Sequence, residues 1–407
     1  MPSENEILES ANDRIQKHRM EDTVVTVTDS AGKPVADAEV MVQQKKHEFL
    51  FGCNIFQLGH YSDDKMNKTY EEEFSALLNY ATLPFYWGGF EHEKDKPNYE
   101  NVDRMAKRCQ ELGITTKGHP LVWHEVVTAW APTDMTELED RLRNRVTDIV
   151  KHYAGLVDVW DVINEATVSA RFTNPVGRWI KKYGDDVSVG LSLDWANKAN
   201  PNATLLVNDF NVSPEYERQL ERLKKANKPF HTIGIQSHMH KGTWTLQRAW
   251  DICETYKRFG LPLHFTELTV LSGHLKDDDD WHKQHTDWLS TAEGEKNQLD
   301  YVEKFYRLLF SHSAMGAITW WDFMDGGWQG APAGLVRKDL TPKPIYERLM
   351  QMVKGEWWTQ VSGRTDGKGE YRFRGFRGNY DVKVRDSKAS FTMSKGENCW
   401  QIEILKS

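Results

Sequence analysis

The stretch Val157-Asp-Val-Trp-Asp-Val-Ile-Asn164-Glu165-Ala166 is a short apolar run that ends in an amide and a carboxylate. An amphipathic helical pattern over Thr136–Tyr153 precedes it. A brief run rich in β-branched residues next to a helix is typical of a strand buried in a parallel sheet. The stretch therefore predicts such a strand, with polar groups at its C-terminal end.

The same alternation of short apolar runs and longer helical patterns continues on both sides of this stretch. Strands are predicted at Glu48–Asn54, Tyr80–Tyr86, Thr115–Trp123, Val157–Asn164, Ala203–Asn208, Thr232–His238, Leu263–Glu267 and Ala314–Asp322. Helices are predicted between them at Tyr70–Asn79, Asn101–Leu112, Thr136–Tyr153, Tyr216–Ala226, Leu246–Phe259 and Gln298–Phe310. Eight such alternations predict an α/β fold, a (β/α)8 TIM barrel, with its active groups on the loops after the strands.

Both ends of the chain have a different pattern. Val24–Thr28 and Ala38–Gln43 alternate apolar and polar residues around a Gly- and Pro-containing turn, which predicts a β-hairpin. The tail after residue 355 has short alternating strands with Gly turns. We predict a small accessory β-sandwich built from both ends; two independent flaps are the alternative. The predicted divisions are an N-terminal extension (1–20), the hairpin (21–47), the barrel (48–354) and the C-terminal strands (355–407).

Composition excludes several classes of partner. The 407 residues carry a formal net charge of −8, which argues against nucleic acid and anionic membranes as main partners. No run of 18 apolar residues is present, so no ordinary transmembrane helix is expected. The chain has 16 Trp, which fits either a large aromatic core or a surface that stacks on sugar rings. Its four Cys are scattered, with no CxxC pair and no zinc-like spacing.

Two glutamates stand at predicted strand ends. Glu165 ends strand four and Glu267 ends strand seven, so both should project into the mouth of the barrel. Paired carboxylates are the minimum equipment of retaining glycoside hydrolysis, in which one attacks the anomeric carbon and the other acts as acid and then base. His238, at the end of strand six, can keep Glu267 ionised, and Gln236 can bond a hydroxyl or the acid.

The chain resembles glycoside hydrolase family 10, the endo-β-1,4-xylanase family, over roughly residues 48–353. The motifs that carry the resemblance are GHPLVWH (Gly118–His124), WDVINEA (Trp160–Ala166), VNDFN (Val207–Asn211), GIQSH (Gly234–His238), FTEL (Phe265–Leu268) and TWWDF followed by KPIYERL (Lys343–Leu349). They occur in the family's order.

The resemblance implies a retaining enzyme that cleaves internal β-1,4-xylosidic bonds of xylan. It implies that Glu165 is the acid/base, Glu267 the nucleophile and His238 the partner of that nucleophile. Its implied substrate-binding residues are His119, Trp123, Asn164, Gln236, Trp321, Trp328 and Trp87. We expect the pKa of Glu165 to be raised and Glu267 to remain ionised. No metal or cofactor is required, and a monomer is expected.

One stretch departs from the family pattern. Where family members have a polar stretch like Pro-Glu-Asn-Glu-Met-Lys-Trp on the glycone side, this chain has Ala81-Thr-Leu-Pro-Phe-Tyr-Trp87. Aromatic rings cannot bond several hydroxyls as Glu, Asn and Lys do, so this side of the cleft should be chemically different. The alternatives are the same catalysis on decorated xylan, short xylo-oligosaccharides or another β-glycoside, and, further removed, a non-catalytic carbohydrate-binding protein.

Two locations are open for a protein of this kind. We expect a secreted or periplasmic protein. The opening residues have no apolar segment like that of a secretion signal, which leaves cytoplasmic processing of oligosaccharides as the alternative.

Overall fold

The computed structural model describes residues 2–404. Its strands are β1 Met20–Asp29, β2 Glu39–His47, β3 Leu50–Asn54, β4 Tyr80–Pro84, β5 Thr115–His119, β6 Val159–Asn164, β7 Thr204–Asp209, β8 Thr232–Met239, β9 Leu263–Val270, β10 Met315–Trp320, β11 Gln360–Arg364, β12 Glu370–Phe376, β13 Gly378–Val384, β14 Ser387–Met393 and β15 Asn398–Ile404. Its α-helices are α1 Glu4–Glu9, α2 Ala11–Arg19, α3 Asp64–Leu77, α4 Trp87–Phe90, α5 Tyr99–Glu111, α6 Met135–His152, α7 Pro175–Tyr183, α8 Asp185–Ala199, α9 Pro214–Lys225, α10 Leu246–Lys257, α11 Ala292–Ser311 and α12 Pro344–Gln351. Short 3₁₀ segments cover Ala166–Arg171 and Trp328–Gly330, and a π-helical turn covers Met352–Glu356.

Strands β3 to β10 form a closed parallel barrel in the order β10-β3-β4-β5-β6-β7-β8-β9. The predicted (β/α)8 fold class is therefore confirmed. Strand β5 ends at His119, earlier than the predicted Trp123, because Pro120 has no N–H for the ladder. Two helices, α7 and α8, join β6 to β7, where the sequence analysis named none.

Irregular pairing occurs near the C-terminal ends of several barrel strands. The β6–β7 register shifts between Asp161 and Ile163, and the β8–β9 register shifts between Ile235 and Gln236. Such bulges turn the following side chains relative to the ladder. They directly precede the polar residues that end β6 and β8.

The two ends of the chain form two small sheets that share one apolar core. One sheet has the order β12-β1-β15 and the other β11-β2-β13-β14. The core between them consists of Val25, Val27, Ala38, Val40, Val42, Tyr380, Val382, Val384, Met393, Trp400, Ile402 and Ile404. Strand β1 pairs in parallel with β15, with Val25 opposite Trp400, so both termini of the chain contribute to one sheet.

The predicted hairpin of residues 21–47 is wrong in its pairing. Strands β1 and β2 lie in different sheets, and only the bridge between Thr28 and Pro34 remains of the expected ladder. The reason is that β12 and β15 occupy both edges of β1, so no edge is left for β2. The alternating valines of both strands face the same core from opposite sheets.

The chain divides into two compact units. One comprises the segment up to Leu50, Leu299–Ser313 and the segment from Pro344 onward; the other comprises Phe51–Gln298 and Ala314–Lys343. Among the helices of residues 2–404, none is long and apolar enough to cross a membrane.

Gly118 allows close packing inside the barrel. Its backbone faces the ring of fully buried Trp160 on the next strand, and a Cβ there would overlap that ring. A Gly at this position therefore permits β5 and β6 to carry a large indole between them.

Replacing Gly118 by Ala should destabilise the protein by roughly 1–3 kcal/mol, because the added methyl group overpacks the core against Trp160. The measurement is urea unfolding followed by tryptophan fluorescence. Gly89→Ala is the matched control, since a Cβ on Gly89 meets no atom within 4 Å and its backbone is helical. Equal stability of the Gly118→Ala variant and the parent would contradict the packing argument.

Candidate active site

The C-terminal ends of the barrel strands open into one cavity of about 1130 Å³. Both predicted catalytic glutamates line it, together with His119, Trp123, Asn164, Gln236, His238, Trp321 and Trp328. The structure thus brings together residues that lie more than 200 positions apart, because all parallel strands end at the same face of the barrel.

Glu165 occupies a left-handed backbone position directly after β6, with φ of 57°. Its side chain is 8% exposed. Oε1 accepts hydrogen bonds from Asn164 Nδ2 (3.1 Å) and Gln236 Nε2 (2.8 Å), and Oε2 accepts one from Trp123 Nε1 (3.2 Å). Burial and the nearby charge of Glu267 raise the pKa of Glu165 well above its usual value. This carboxyl group is therefore suited to carry a proton.

Glu267, on β9, is in the opposite electrostatic state. Its side chain is 5% exposed, and burial alone would raise its pKa. The charge of His119, a hydrogen bond from His238 and the charge of Lys117 outweigh burial and lower the pKa to about 2. His238 Nε2 lies 3.0 Å from Oε2, and Thr269 Oγ1 lies 2.9 Å from the other ring nitrogen of His238. The carboxylate therefore stays ionised, as the sequence analysis expected.

Asn208, which the sequence analysis did not select, connects these groups. Its Nδ2 lies 2.7 Å from Glu267 Oε1, 2.9 Å from Asn164 Oδ1 and 2.9 Å from Asp161 Oδ2. Thr266 donates to Asn208 Oδ1 at 2.7 Å, which fixes the orientation of the amide. The signal in the sequence was its place at a strand end in VNDFN, where an amide near the catalytic face could have been expected.

The ring of His119 is oriented by the fully buried carboxylate of Asp161. Its Nδ1 donates to Asp161 Oδ2 at 2.6 Å, which leaves Nε2 as the ring nitrogen for the cavity. Lys117, two residues earlier on the same strand face, is completely buried, and its Nζ has no hydrogen-bond partner among residues 2–404. Lys117 therefore acts on Asp161 and Glu267 through its charge.

Aromatic rings form the walls around the two carboxylates. The Trp321 ring lies 5.3 Å from the His119 ring and 6.0 Å from the His238 ring, centroid to centroid. Trp328 lies 4.5 Å from His238 and stacks on Trp281, whose ring the sequence analysis did not select. These flat apolar faces suit the apolar faces of sugar rings.

Trp87, which the sequence analysis placed among the substrate-binding residues, does not line the cavity. Its indole is buried behind the wall, donates to Glu91 Oε2 at 3.0 Å and packs on Trp130. The neighbouring Tyr86 lines the cavity instead, with its ring 5.5 Å from that of His119. The reason is that α4 begins at Trp87, so the backbone turns away there.

Among residues 2–404, two groups of side chains place three possible metal ligands within 4.8 Å of one another: His119 with Asp161 and Glu267, and His124 with Glu125 and Glu165. In the first group all three side chains are engaged in the hydrogen bonds already described. In the second, His124 is buried without a hydrogen-bond partner among the described residues, and burial lowers its pKa to about 4. A neutral imidazole next to Glu165 disturbs the proton on that acid less than a charged one.

Comparisons with known proteins give one family. The model of glycosyl hydrolase family 10 matches residues 41–352. Endo-1,4-beta-xylanase 1 of Arabidopsis thaliana is 27% identical over an alignment 395 positions long, which covers 92% of this chain and 37% of that protein. Anti-sigma-I factor RsgI6 of Acetivibrio thermocellus is 26% identical over 395 residues, 93% of this chain and 46% of that protein. The chain thus spans between about a third and a half of these relatives.

Solved structures share the barrel. Native xylanase 10B of Thermotoga maritima aligns with a TM-score of 0.63 at 22% identity, covering 76% of this chain and 97% of that one. A GH10 structure from Paenibacillus barcinonensis aligns with a TM-score of 0.64 at 20% identity, covering 76% and 96%. At this identity the likeness shows the fold.

The two carboxylates should affect stability in opposite directions at pH 7. The pKa of Glu165 in the folded state lies above its ordinary value of 4.5, so the folded state loses stability as pH rises above 4.5. A Gln at position 165 imitates the protonated acid, so the variant does not lose this stability as pH rises. The folded pKa of Glu267 is about 2, so its stabilisation is complete above 4.5 and is lost as pH falls towards 2. A Gln at position 267 carries no charge, so the variant lacks this stabilisation.

We therefore expect Glu165→Gln to raise the urea midpoint at pH 7 and to leave it near the parent value at pH 4. Glu267→Gln should lower the midpoint at pH 7, by an amount that shrinks below pH 4.5. Urea unfolding of both variants and the parent at the two pH values is the measurement. The same sign for both variants at pH 7 would contradict the assigned protonation states.

Proposed function

The chain belongs to glycosyl hydrolase family 10, and from this premise we propose that it hydrolyses internal β-1,4-xylosidic bonds of xylan with retention of configuration. The observation that carries the proposal is the pair of glutamates in one cavity with pKa values shifted in opposite directions. Such a divergence is how one site holds an acid and a nucleophile at the same pH. The xylanase names of the relatives support the substrate.

In the proposed first step Glu267 attacks the anomeric carbon. A bond forms between its carboxylate oxygen and that carbon while the glycosidic C–O bond breaks. Glu165 gives its proton to the departing sugar oxygen, which leaves as a hydroxyl. His238 and Asn208 hold the attacking carboxylate by one hydrogen bond on each oxygen, so its direction of attack is set before substrate arrives.

In the second step water replaces the enzyme at the same carbon. Glu165, now ionised, takes a proton from the water, whose oxygen bonds to the anomeric carbon as the ester bond to Glu267 breaks. Two inversions give net retention, and both carboxyl groups return to their starting states. Asn164 and Gln236 bond Glu165 Oε1, so they keep this acid/base in place through both steps.

A second substrate class rests on a specific observation. Strand β4 is followed by Phe85, which is fully buried, Tyr86, which lines the cavity, and Trp87, which is turned away. Only the phenol of Tyr86 reaches the cavity from the stretch that departs from the family pattern. The same catalysis on decorated xylan, short xylo-oligosaccharides or another β-glycoside is therefore the alternative. A third candidate, further removed, is carbohydrate binding without turnover.

We further propose that the protein acts as a secreted or periplasmic monomer. Polymeric xylan cannot cross a membrane, so an enzyme that cuts it internally must meet it outside the cytoplasm. Cell fractionation tests the location, and light scattering on the purified chain tests the monomer.

The parent protein should release xylo-oligosaccharides from xylan, and Glu267→Ala should lose at least about 10³-fold in kcat while remaining folded, because no group is left to form the ester. Product chromatography on unsubstituted xylan, glucuronoxylan, arabinoxylan and cello-oligosaccharides is the measurement. Turnover of an aryl β-glycoside without activity on xylan would favour the alternative substrates. Inactivity on every substrate, with binding retained, would favour the binding protein.

Glu165→Ala should lose about 10²–10⁴-fold on xylan but much less on an aryl β-xyloside, whose activated leaving group needs no acid. The measurement is kcat/KM on both substrates. Glu125→Gln is the control for loss of a neighbouring charge: Glu125 lines the same cavity without a hydrogen bond to the catalytic groups and contributes only weakly to the raised pKa of Glu165, so we expect its effect to stay within about tenfold. Equal losses on both substrates would remove Glu165 from the acid role.

A further inference from the structure

Asp322 is a third carboxylate in the cavity, and the proposed mechanism does not use it. It directly follows β10, is partly buried and lines the cavity next to Trp321. Its Oδ2 accepts the backbone N–H of Trp328 at 2.6 Å, and its Oδ1 accepts from Asn54 Nδ2 at 3.3 Å. Within residues 2–404, no Lys, Arg or His nitrogen forms an ion pair with it, in contrast to Asp325, which pairs with Lys343.

This position is energetically unfavourable for an aspartate in two ways. Its φ of 71° is in the left-handed region, which costs a residue with a Cβ roughly 1 kcal/mol relative to glycine. Burial also raises the pKa of its carboxyl group, because a charge without a cationic partner is poorly solvated there. An amide oxygen could also accept the N–H of Trp328, although more weakly than the carboxylate does. A backbone position and a buried charge that both cost stability, at a residue that lines the cavity, point to a role in binding.

The residues around Asp322 indicate what kind of group its carboxylate can bind. Strand β10 neighbours β3, which is followed around the barrel by β4. Asn54 ends β3 and Tyr86 follows β4, so Asp322, Asn54 and Tyr86 line one half of the cavity. This half also presents the rings of Phe56 and Trp321, which pack edge to face, and the neutral polar side chains of Gln57 and Tyr61. Asp322 is the carboxylate among these groups, and a carboxylate is a stronger acceptor for sugar hydroxyls than the neutral amides and phenols around it.

We propose that Asp322, with Asn54, binds the hydroxyl groups of the sugar that occupies this half of the cleft, and that its negative charge excludes sugars carrying a uronic acid from this position. The inference rests on the proposed function and specifies it: the unit bound here is a neutral sugar with free hydroxyls. A carboxylate oxygen that accepts one N–H keeps a second acceptor site, so both oxygens remain available to hydroxyl donors. Hydrogen bonds from hydroxyls to a carboxylate are stronger than those to an amide oxygen.

The test compares Asp322→Asn and Asp322→Gly with the parent on linear xylo-oligosaccharides and on the same oligosaccharides bearing a glucuronic acid. Asp322→Asn keeps the shape and an acceptor for Trp328 N–H. We expect its KM for the linear substrate to rise about tenfold, with kcat within about threefold. Its preference for linear over acid-bearing substrate should fall by a similar factor. Asp322→Gly should have a larger KM than Asp322→Asn, because no acceptor remains. Its thermal midpoint should equal or exceed that of the parent, because glycine adopts the left-handed backbone without strain.

The matched control is Asp279→Asn, which removes a carboxylate at the rim of the same cavity. Asp279 is almost fully exposed and pairs with Lys241 at 3.2 Å, so its removal should leave KM and substrate preference unchanged. Calorimetric binding of the linear oligosaccharide to the parent, the Asp322 variants and this control gives a readout that does not require turnover.

The outcomes separate this inference from the proposed function. A parent that cleaves xylan and an Asp322→Asn variant with the parent's KM, affinity and preference would overturn the role of Asp322 alone. A lower thermal midpoint in both Asp322 variants with unchanged KM would assign Asp322 to loop structure and overturn it too. A parent that neither cleaves nor binds any oligosaccharide would overturn the proposed function and this inference together.

Discussion

Two carboxyl groups inside one buried cavity repel each other when both are ionised, and this constraint explains most of the site around them. Glu267 accepts hydrogen bonds from Asn208 and His238 and lies in the positive field of His119 and Lys117, so it is the ionised member of the pair. Glu165 is surrounded by neutral donors, and its charged form is opposed by burial and by Glu267. The neighbours of the two acids therefore determine which of them is ionised and which carries the proton.

Those neighbours depend on the closure of the barrel. Asn208 contacts side chains from β6 and β9, and this requires the strands to end at the same height. Asp161, beneath this layer, holds both His119 and Asn208 with one oxygen. Gly118 lets β5 lie against Trp160, so the strand that carries Lys117 and His119 stays close to its neighbour. The close packing of the strands thus positions the groups that set the pKa values of the two acids.

The two halves of the cleft differ in chemistry. The half near β4 offers the phenol of Tyr86 and the apolar ring of Phe56, and its charged group is Asp322. The other half includes the exposed ring of Phe210 and the cationic side chains of Arg171 and Arg248. Glu165 and Glu267 lie between these two halves. The departure from the family pattern at Phe85–Trp87 falls in the half near β4.

The sequence by itself determined the barrel and the two glutamates, because short apolar strands alternating with amphipathic helices have few other ways to bury their surfaces, and strand-end residues fall on one face. It also identified His238 and Gln236 as neighbours of the acids. It could not decide between an aromatic core and aromatic cleft walls for the tryptophans, and both occur: Trp160, Trp179 and Trp320 are buried, while Trp123, Trp321 and Trp328 line the cavity.

Only the tertiary structure decided which residue after β4 faces the cavity, which sheet each terminal strand joins, and that Asn208 and Asp161 bind several groups at once. Each of these depends on a backbone turn or on partners distant in the sequence. A local pattern specifies whether a residue is buried, but the neighbour against which it is buried is set by the packing of the whole chain.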